Sequence, residues 1–271
     1  MSAPRRPRAR AAIALLLLVL MSVAGCQHEE DDGGDGRGSQ PEPRPVTDDE
    51  AERLATMRFR NFDAGSRQVS ASYQDGGHEV QVEGWFDYAG GGGYAAVSTD
   101  GVPSDVVVWD HEHVAVTAAP ATASGPPVEW LGPPPQSFDG WSIAPLDPSA
   151  SPIEALFAML ARLGNDRPEN PLLLREGGAL WLREDDVGGE AVTVFAGPTS
   201  GSDRGTDDQQ PSPEDDGGPP DPAAAGVRYW IDEAGMAHRV EIRLADGWAR
   251  VDLTDNDGPD IGPPPHPAGA S

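Results

Sequence analysis

The chain has 271 residues with 45 acidic and 19 basic side chains, and its formal net charge at pH 7 is −26. This length predicts one or two domains, and the negative charge excludes nucleic acid as a partner and gives no attraction to anionic lipid headgroups. The single cysteine excludes an internal disulfide.

The N-terminal 25 residues have the layout of an export signal. Four arginines and no acidic residue come first, and the following apolar run of eleven residues is too short to span a membrane. A cysteine then follows small residues, in the order Val23, Ala24, Gly25, Cys26. This box resembles the lipobox of bacterial lipoproteins. The resemblance implies cleavage of residues 1–25 as a signal peptide and attachment of acyl chains such as palmitate to Cys26.

Lipidation at Cys26 predicts a protein held on the extracytoplasmic face of the cell membrane, because two or more acyl chains anchor a protein stably. The pair Arg5-Arg6 leaves twin-arginine export open beside the general secretory route. Residues 26–46 are rich in Glu, Asp, Gly and Pro. That composition cannot bury apolar surface, so it predicts a disordered acidic tether.

The folded part is predicted to begin with a helix. Thr47 and Glu50 form a capping box, and the helix should run to about Arg60 on the outside of the domain, because its apolar face is weak. Runs with period-two alternation follow, each bounded by Gly, Pro, Asp or Ser, as is typical of an antiparallel meander. These predicted strands are 67–73, 78–88, 94–98, 104–109 and 113–117.

A second helix is predicted after a Pro-rich surface loop at 119–135, which Trp130 and Trp141 should pin to the domain. Its signals are a capping box that starts at Ser151, apolar residues at helical spacing, and Gly164 at its end.

Strand patterns resume in the C-terminal part of the chain and are interrupted once. The low-complexity stretch at about 197–226 is predicted to be a disordered insertion, because the residues after it are too few for a second domain. The predicted strands are 179–184 and 190–196 before it, and 227–232, 237–244 and 248–254 after it. Residues 47–256 are therefore predicted to form a single α+β domain, followed by a disordered tail at 257–271.

No constellation of residues indicates catalysis or a cofactor. His111 and His113 would share one face of a strand, but no further metal ligand is evident. The stretch Asp255–Gly258 lacks the spacing of a calcium-binding loop. Motifs of hydrolases, P-loop proteins and dinucleotide-binding proteins are absent. The chain is predicted not to be an enzyme. An anchored hydrolase, with Asp or His residues in a cleft, ranks third after two non-enzymatic functions.

A further resemblance rests on the order of elements and on the final hairpin. This hairpin reads Tyr229-Trp230-Ile231-Asp232, then a short turn at Gly235, then Arg239-Val240. Together with the lipobox, the tether and the meander, it resembles the LppX/LprG class of envelope lipoproteins and, more distantly, the LolA-type lipoprotein carriers. The resemblance implies an α+β fold, a curved antiparallel half-barrel packed on one or two helices, with an apolar pocket for acyl chains.

These features predict a membrane-anchored lipoprotein that binds or carries an apolar, lipid-like ligand without catalysis. The residues expected to line the pocket are Val82, Phe86, Val106, Phe157, Leu160, Val240 and Ile242. The alternative is a non-enzymatic interaction, sensor or scaffold module that contacts an envelope partner through its sheet edge or its acidic face. The sequence indicates no particular protein partner.

Overall fold

A computed structural model of the chain describes residues 42–198, 221–244, 247–255 and 258–265. The described strands are β1 (Arg44–Pro45), β2 (Ser66–Asp75), β3 (His78–Asp87), β4 (Gly92–Thr99), β5 (Val102–Trp109), β6 (His113–Ala118), β7 (Ser142–Pro145), β8 (Leu180–Val187), β9 (Glu190–Ala196), β10 (Val227–Ile231), β11 (Ala237–Leu244) and β12 (Gly247–Asp255). The described helices are α1 (Asp48–Ala64), α2 (Pro127–Trp130), α3 (Pro152–Ala161) and α4 (Pro171–Glu176), with a short 3-10 helix at Pro222–Ala224. None of the described helices is long and apolar enough to cross a membrane.

Two antiparallel meanders join into one sheet. The strand order across it is β1-β8-β9-β10-β11-β12-β2-β3-β4-β5-β6-β7, and each neighbouring pair is antiparallel. The meanders β8–β12 and β2–β7 meet where β12 pairs with β2. Because β1 and β7 remain as edges, the curved sheet is not closed into a barrel. This arrangement confirms the predicted α+β fold with an antiparallel half-barrel.

The inner face of the sheet, defined as the face covered by α1 and α3, carries the main apolar cluster. In β3 the buried side chains Val80, Val82 and Phe86 alternate with more exposed ones, as the period-two pattern predicts. The same cluster contains Val240 and Ile242 of β11. Alternation along each strand therefore sets which side chains point toward the helices.

The outer face of β3–β6 is also covered. Tyr94, Val106 and Val108 form a second cluster there, together with Leu131 of the Pro-rich loop. Trp130 and Trp141 pack against this cluster, which confirms that they pin the loop. Ile261 is only 5% exposed and completes the cover.

Helix α1 is more buried than the sequence predicts. Its capping box is present, since Thr47 Oγ1 accepts from the Glu50 amide and the Glu50 carboxylate accepts from the Thr47 amide. The helix continues to Ala64, however, and buries Leu54 and Met57 in the inner cluster. The prediction that it lies on the outside is wrong, because an apolar sheet face needs a cover and α1 supplies it.

Parts of the predicted low-complexity segments are buried in the folded domain. Val46 is buried and β1 pairs with β8, so the predicted tether of 26–46 is too long. Ala225 is buried within the predicted insertion, and Ile261 within the predicted tail. Single apolar residues within polar stretches of sequence are thus buried when the domain folds. The predicted signal peptide, Cys26 and residues 199–220 of the insertion lie outside the described residues.

A buried arginine ties α1 to three strands. Arg67 of β2 is 0% exposed. Its Nη1 donates to Asn61 Oδ1 at 2.9 Å and to the Ala237 carbonyl at 2.5 Å, and its Nη2 donates to the Leu253 carbonyl at 3.2 Å. Asn61 in turn donates to the carbonyl of Leu163 at 2.9 Å. This network fixes the end of α1 and the segment after α3 against β2, β11 and β12.

Candidate ligand cavities around the central helix

Helix α3 lies over the inner face of the sheet and fills much of the space there. Its N-terminus is fixed by Ser151, whose hydroxyl accepts from the Glu154 amide, and by Pro152 in the first turn. Phe157 stacks on Trp109 of β5 with ring centroids 4.4 Å apart, and Leu160 is fully buried. The helix therefore divides the inner face, and a cavity remains on each side of it.

The first of these, named the helix cavity, measures about 280 Å³ and lies between α1, α3, α4 and β10. Most of its wall is apolar. The apolar lining consists of Leu54, Met57, Met159, Leu163, Leu174, Pro198 and Tyr229. Such a wall is suited to a hydrocarbon group.

Three charged residues line the same cavity, and two of them form an ion pair. Arg58 Nη1 lies 2.7 Å from Glu169 Oε1, and both side chains are about one-third exposed. Arg162, an exposed residue at the end of α3, is the third. Burial raises the pKa of the Tyr229 hydroxyl to about 12, with the Glu169 carboxylate adding to the shift, so this wall residue stays neutral near pH 7. Charge is thus confined to Arg58, Glu169 and Arg162.

The second cavity, named the strand cavity, measures about 170 Å³ and lies between α3 and β4–β6. Valines of the three strands form most of its wall, and Phe157 and Ile153 of α3 close it. Asp105 and Glu154 are the acidic residues in its lining. It is smaller than the helix cavity, and two carboxylates make it less suited to an acidic ligand.

Six of the seven predicted pocket residues lie together in the inner cluster. These are Val82, Phe86, Phe157, Leu160, Val240 and Ile242. Phe157 lines the strand cavity, whereas the other five pack within the cluster and line neither cavity. Val106 lies on the outer face, and its neighbour Val107 takes the inner position. The sequence prediction thus locates the inner face but not the space within it.

Two of the residues around the helix cavity come from short segments to which the sequence assigned no helix or strand. Leu174 belongs to α4, a helix of six residues, and Pro198 lies just after β9. Leu54 and Met57 carried a usable signal, because their spacing places them on one face of α1. The helix as a whole was predicted to lie on the outside of the domain, so the connection of this face with a cavity was missed.

The candidate metal residues belong to a tight turn. Asp110 Oδ1 accepts from the amides of Glu112 and His113 at 2.7 Å each. Within the part of the chain that the structure describes, no three His, Cys, Asp or Glu residues are placed to hold a metal ion. Part of the stretch Asp255–Gly258 lies outside the described residues, as do Cys26 and the lipobox residues Val23, Ala24 and Gly25.

Comparison with known proteins gives matches in structure only. No protein-family model matches the chain, and no curated protein matches it in sequence. The chain is similar to the lipoprotein LppX of Mycobacterium tuberculosis, with a TM-score of 0.36 and 14% identity over 74% of this chain and 94% of that one. It is similar also to LprF from Mycobacterium bovis, with a TM-score of 0.35 and 14% identity over 83% of this chain and 100% of that one. LppX and LprF are lipoproteins of the class that the sequence resemblance named.

Proposed function

We propose that the chain is an extracytoplasmic lipoprotein, anchored to the cell membrane through Cys26, whose domain binds an apolar, lipid-like ligand without transforming it. The helix cavity is the observation that carries this proposal. Its apolar wall between α1, α3 and α4, with charge confined to three residues, is the usual form of a small-molecule site. The Glu169 carboxylate in its lining forms an ion pair with Arg58.

The size of the cavity limits the ligand. About 280 Å³ is close to the lower end of the range for small-molecule sites, roughly 300–1,000 Å³. Since α3 fills the middle of the inner face, we expect a single hydrocarbon chain or a small apolar ring system. A polar or acidic head on that ligand would lie near Arg162, for which the described residues show no ion-pair partner.

Native mass spectrometry tests ligand binding directly. The chain from residue 27 onward, which includes every described element, is purified from a bacterial host without detergent. We expect a mass excess that matches one apolar molecule and disappears on organic extraction. Met159→Trp places a large ring in the helix cavity, and this overlap should raise the dissociation constant at least tenfold, which corresponds to about 1.4 kcal/mol, and so lower the occupied fraction.

Met236→Trp provides the matched control, because Met236 is also partly buried but lies in the β10–β11 turn and lines neither cavity. It should keep the full mass excess. A mass without any excess in all three proteins, together with no uptake of the fluorescent fatty acid cis-parinaric acid, would contradict ligand binding. The interaction module would then be the better description, and pull-down of envelope partners would follow.

Lipidation is tested by metabolic labelling of the full-length chain with radioactive palmitate. We expect Cys26→Ser to lose the label and to accumulate as an uncleaved precursor, because acyl transfer requires the thiol. Gln27→Ser changes the next residue and should retain both label and cleavage. Label that persists on the Cys26→Ser protein would rule out this anchor.

A further inference from the structure

Two adjacent leucines of α4 are exposed beside the helix cavity. Leu172 and Leu173 are 57% and 64% exposed, and Val102 at 65% is the other large apolar side chain that is exposed among the described residues. Asn170 Oδ1 accepts from the Leu172 amide at 3.0 Å, which fixes the start of α4. The next residue, Leu174, lines the helix cavity. One short helix thus presents leucines both to the solvent and to the cavity.

The first described residues of the chain lie next to these leucines. A groove beside α4 is lined by Pro45, Val46 and Leu172, together with Arg175 and Glu176. Arg175 Nη1 forms an ion pair with Asp48 Oδ1, which connects α4 to the first turn of α1. The place where the chain joins the domain is therefore on the same surface as the exposed leucines.

This junction is held firmly. The guanidinium of Arg44 donates to both carboxylate oxygens of Glu50, at 2.7 and 2.8 Å, and stacks on Trp181 with 4.6 Å to the ring centroid. The hydrogen bonds from Arg44 lower the pKa of Glu50 to about 2, so the pair stays charged at neutral pH. The direction in which residues 42–46 leave the domain is fixed by these contacts.

The distance to the lipid anchor follows from chain length. Fifteen residues, 27–41, separate Cys26 from the first described residue. Even fully extended, a chain of that length reaches no more than about 50 Å. If Cys26 is acylated, the surface that carries Leu172 and Leu173 stays within that reach of the bilayer.

We propose that Leu172 and Leu173 insert into the interfacial region of the bilayer to which the chain is anchored, and that this contact sets the helix cavity against the lipid from which its ligand comes. The inference rests on the proposed function. Burial of two leucines by itself contributes less than association from free solution costs. The tether removes most of that cost, because it raises the local concentration to about the millimolar range.

Charge determines how this contact should differ from that of a basic membrane-binding protein. Asp48, Glu52 and Glu176 lie beside the leucines, with Arg175 as the nearby cation. An acidic surface is repelled by anionic headgroups, and salt screens that repulsion. Docking should therefore be strong on zwitterionic vesicles and should rise with salt on anionic ones.

The position of α4 relative to the bilayer can be tested with a single fluorophore. The chain from residue 27 contains no cysteine, so Leu173→Cys labelled with the dye NBD reports on this site alone. The protein is attached to phosphatidylcholine vesicles through an N-terminal His tag and a nickel-chelating lipid, which replaces the natural anchor. We expect a several-fold rise in emission and a blue shift relative to free protein. Val102→Cys is the matched control, because it is equally exposed but lies at the start of β5, and its emission should not change.

A second measurement separates docking from ligand binding. Leu172→Ser with Leu173→Ser should keep the mass excess seen by native mass spectrometry but should slow transfer of bound cis-parinaric acid to vesicles several-fold, whereas Val102→Ser should leave the transfer rate unchanged. An unchanged NBD signal at position 173 on vesicles, with the mass excess intact, overturns docking and leaves the proposed function standing. A signal that rises with protein concentration in the absence of vesicles overturns it in favour of self-association. A vesicle-dependent signal from a domain with no bound ligand supports docking and removes the proposed function.

Discussion

Arg67→Met is expected to lower the free energy of unfolding by about 3–5 kcal/mol, because it removes the hydrogen-bond donors of a fully buried network. The Ala237 and Leu253 carbonyls and Asn61 Oδ1 each accept from the Arg67 guanidinium. Methionine fills a similar volume but donates to none of them. Buried acceptors without donors carry the full cost of desolvation.

Urea denaturation monitored by circular dichroism measures this loss, provided that the slope of the transition is unchanged. Arg167→Met is the control, because the Arg167 side chain is 80% exposed, and it should shift the free energy by less than about 0.5 kcal/mol. Arg67→Lys retains the charge but loses the planar fork, so it should fall between the two. An Arg67→Met protein within about 1 kcal/mol of the parent would show that the network contributes little.

Phe157→Ala is expected to lower the free energy of unfolding by a similar amount, about 3–5 kcal/mol. Phe157 attaches α3 to the sheet, since its ring stacks on the ring of Trp109. The ring centroid of Trp109 in turn lies 5.7 Å from that of Phe86. Its removal forfeits that stacking, worth about 0.5–1.5 kcal/mol. It also leaves a void that adds to the strand cavity, which Phe157 already lines.

Thermal denaturation of Phe157→Ala, with and without cis-parinaric acid, tests both consequences. Phe138→Ala should lower the free energy of unfolding by about 1 kcal/mol, because Phe138 is only partly buried against the cluster on the outer face. An enlarged apolar cavity should bind an apolar probe, so the probe should raise the melting temperature of Phe157→Ala more than that of Phe138→Ala. Equal losses of stability in the two variants would contradict the role of Phe157 in attaching α3 to the sheet.

The strands and their inner faces could be predicted wherever apolar and polar residues alternate. In β3 and β11 this pattern identifies Val82, Phe86, Val240 and Ile242 as inner residues, and the structure places them there. In β5 the pattern fails, because Val106, Val107 and Val108 are all apolar. Both faces of this strand are covered, so its sequence does not reveal which valine points inward, and Val106 was assigned to the wrong face.

The candidate site was less predictable than the fold. A cavity is the space left between elements, and its shape depends on the distances between α1, α3, α4 and the sheet. Spacing along the chain reveals which side chains share a face, but not how closely two faces approach. Leu174 and Pro198 therefore carried no signal, although both line the helix cavity.

Signals that act over three or four residues were readable in the sequence. The caps of α1 and α3, the alternation of most strands and the Gly-containing turn between β10 and β11 are of this kind, because each depends on hydrogen bonds or packing between near neighbours. Packing over long separations settled the remainder. It brought β12 beside β2, turned α1 inward, buried Val46 and Ile261 from low-complexity segments and left Leu172 and Leu173 exposed. Burial depends on which surfaces meet after folding, and near-neighbour patterns carry no information about that meeting.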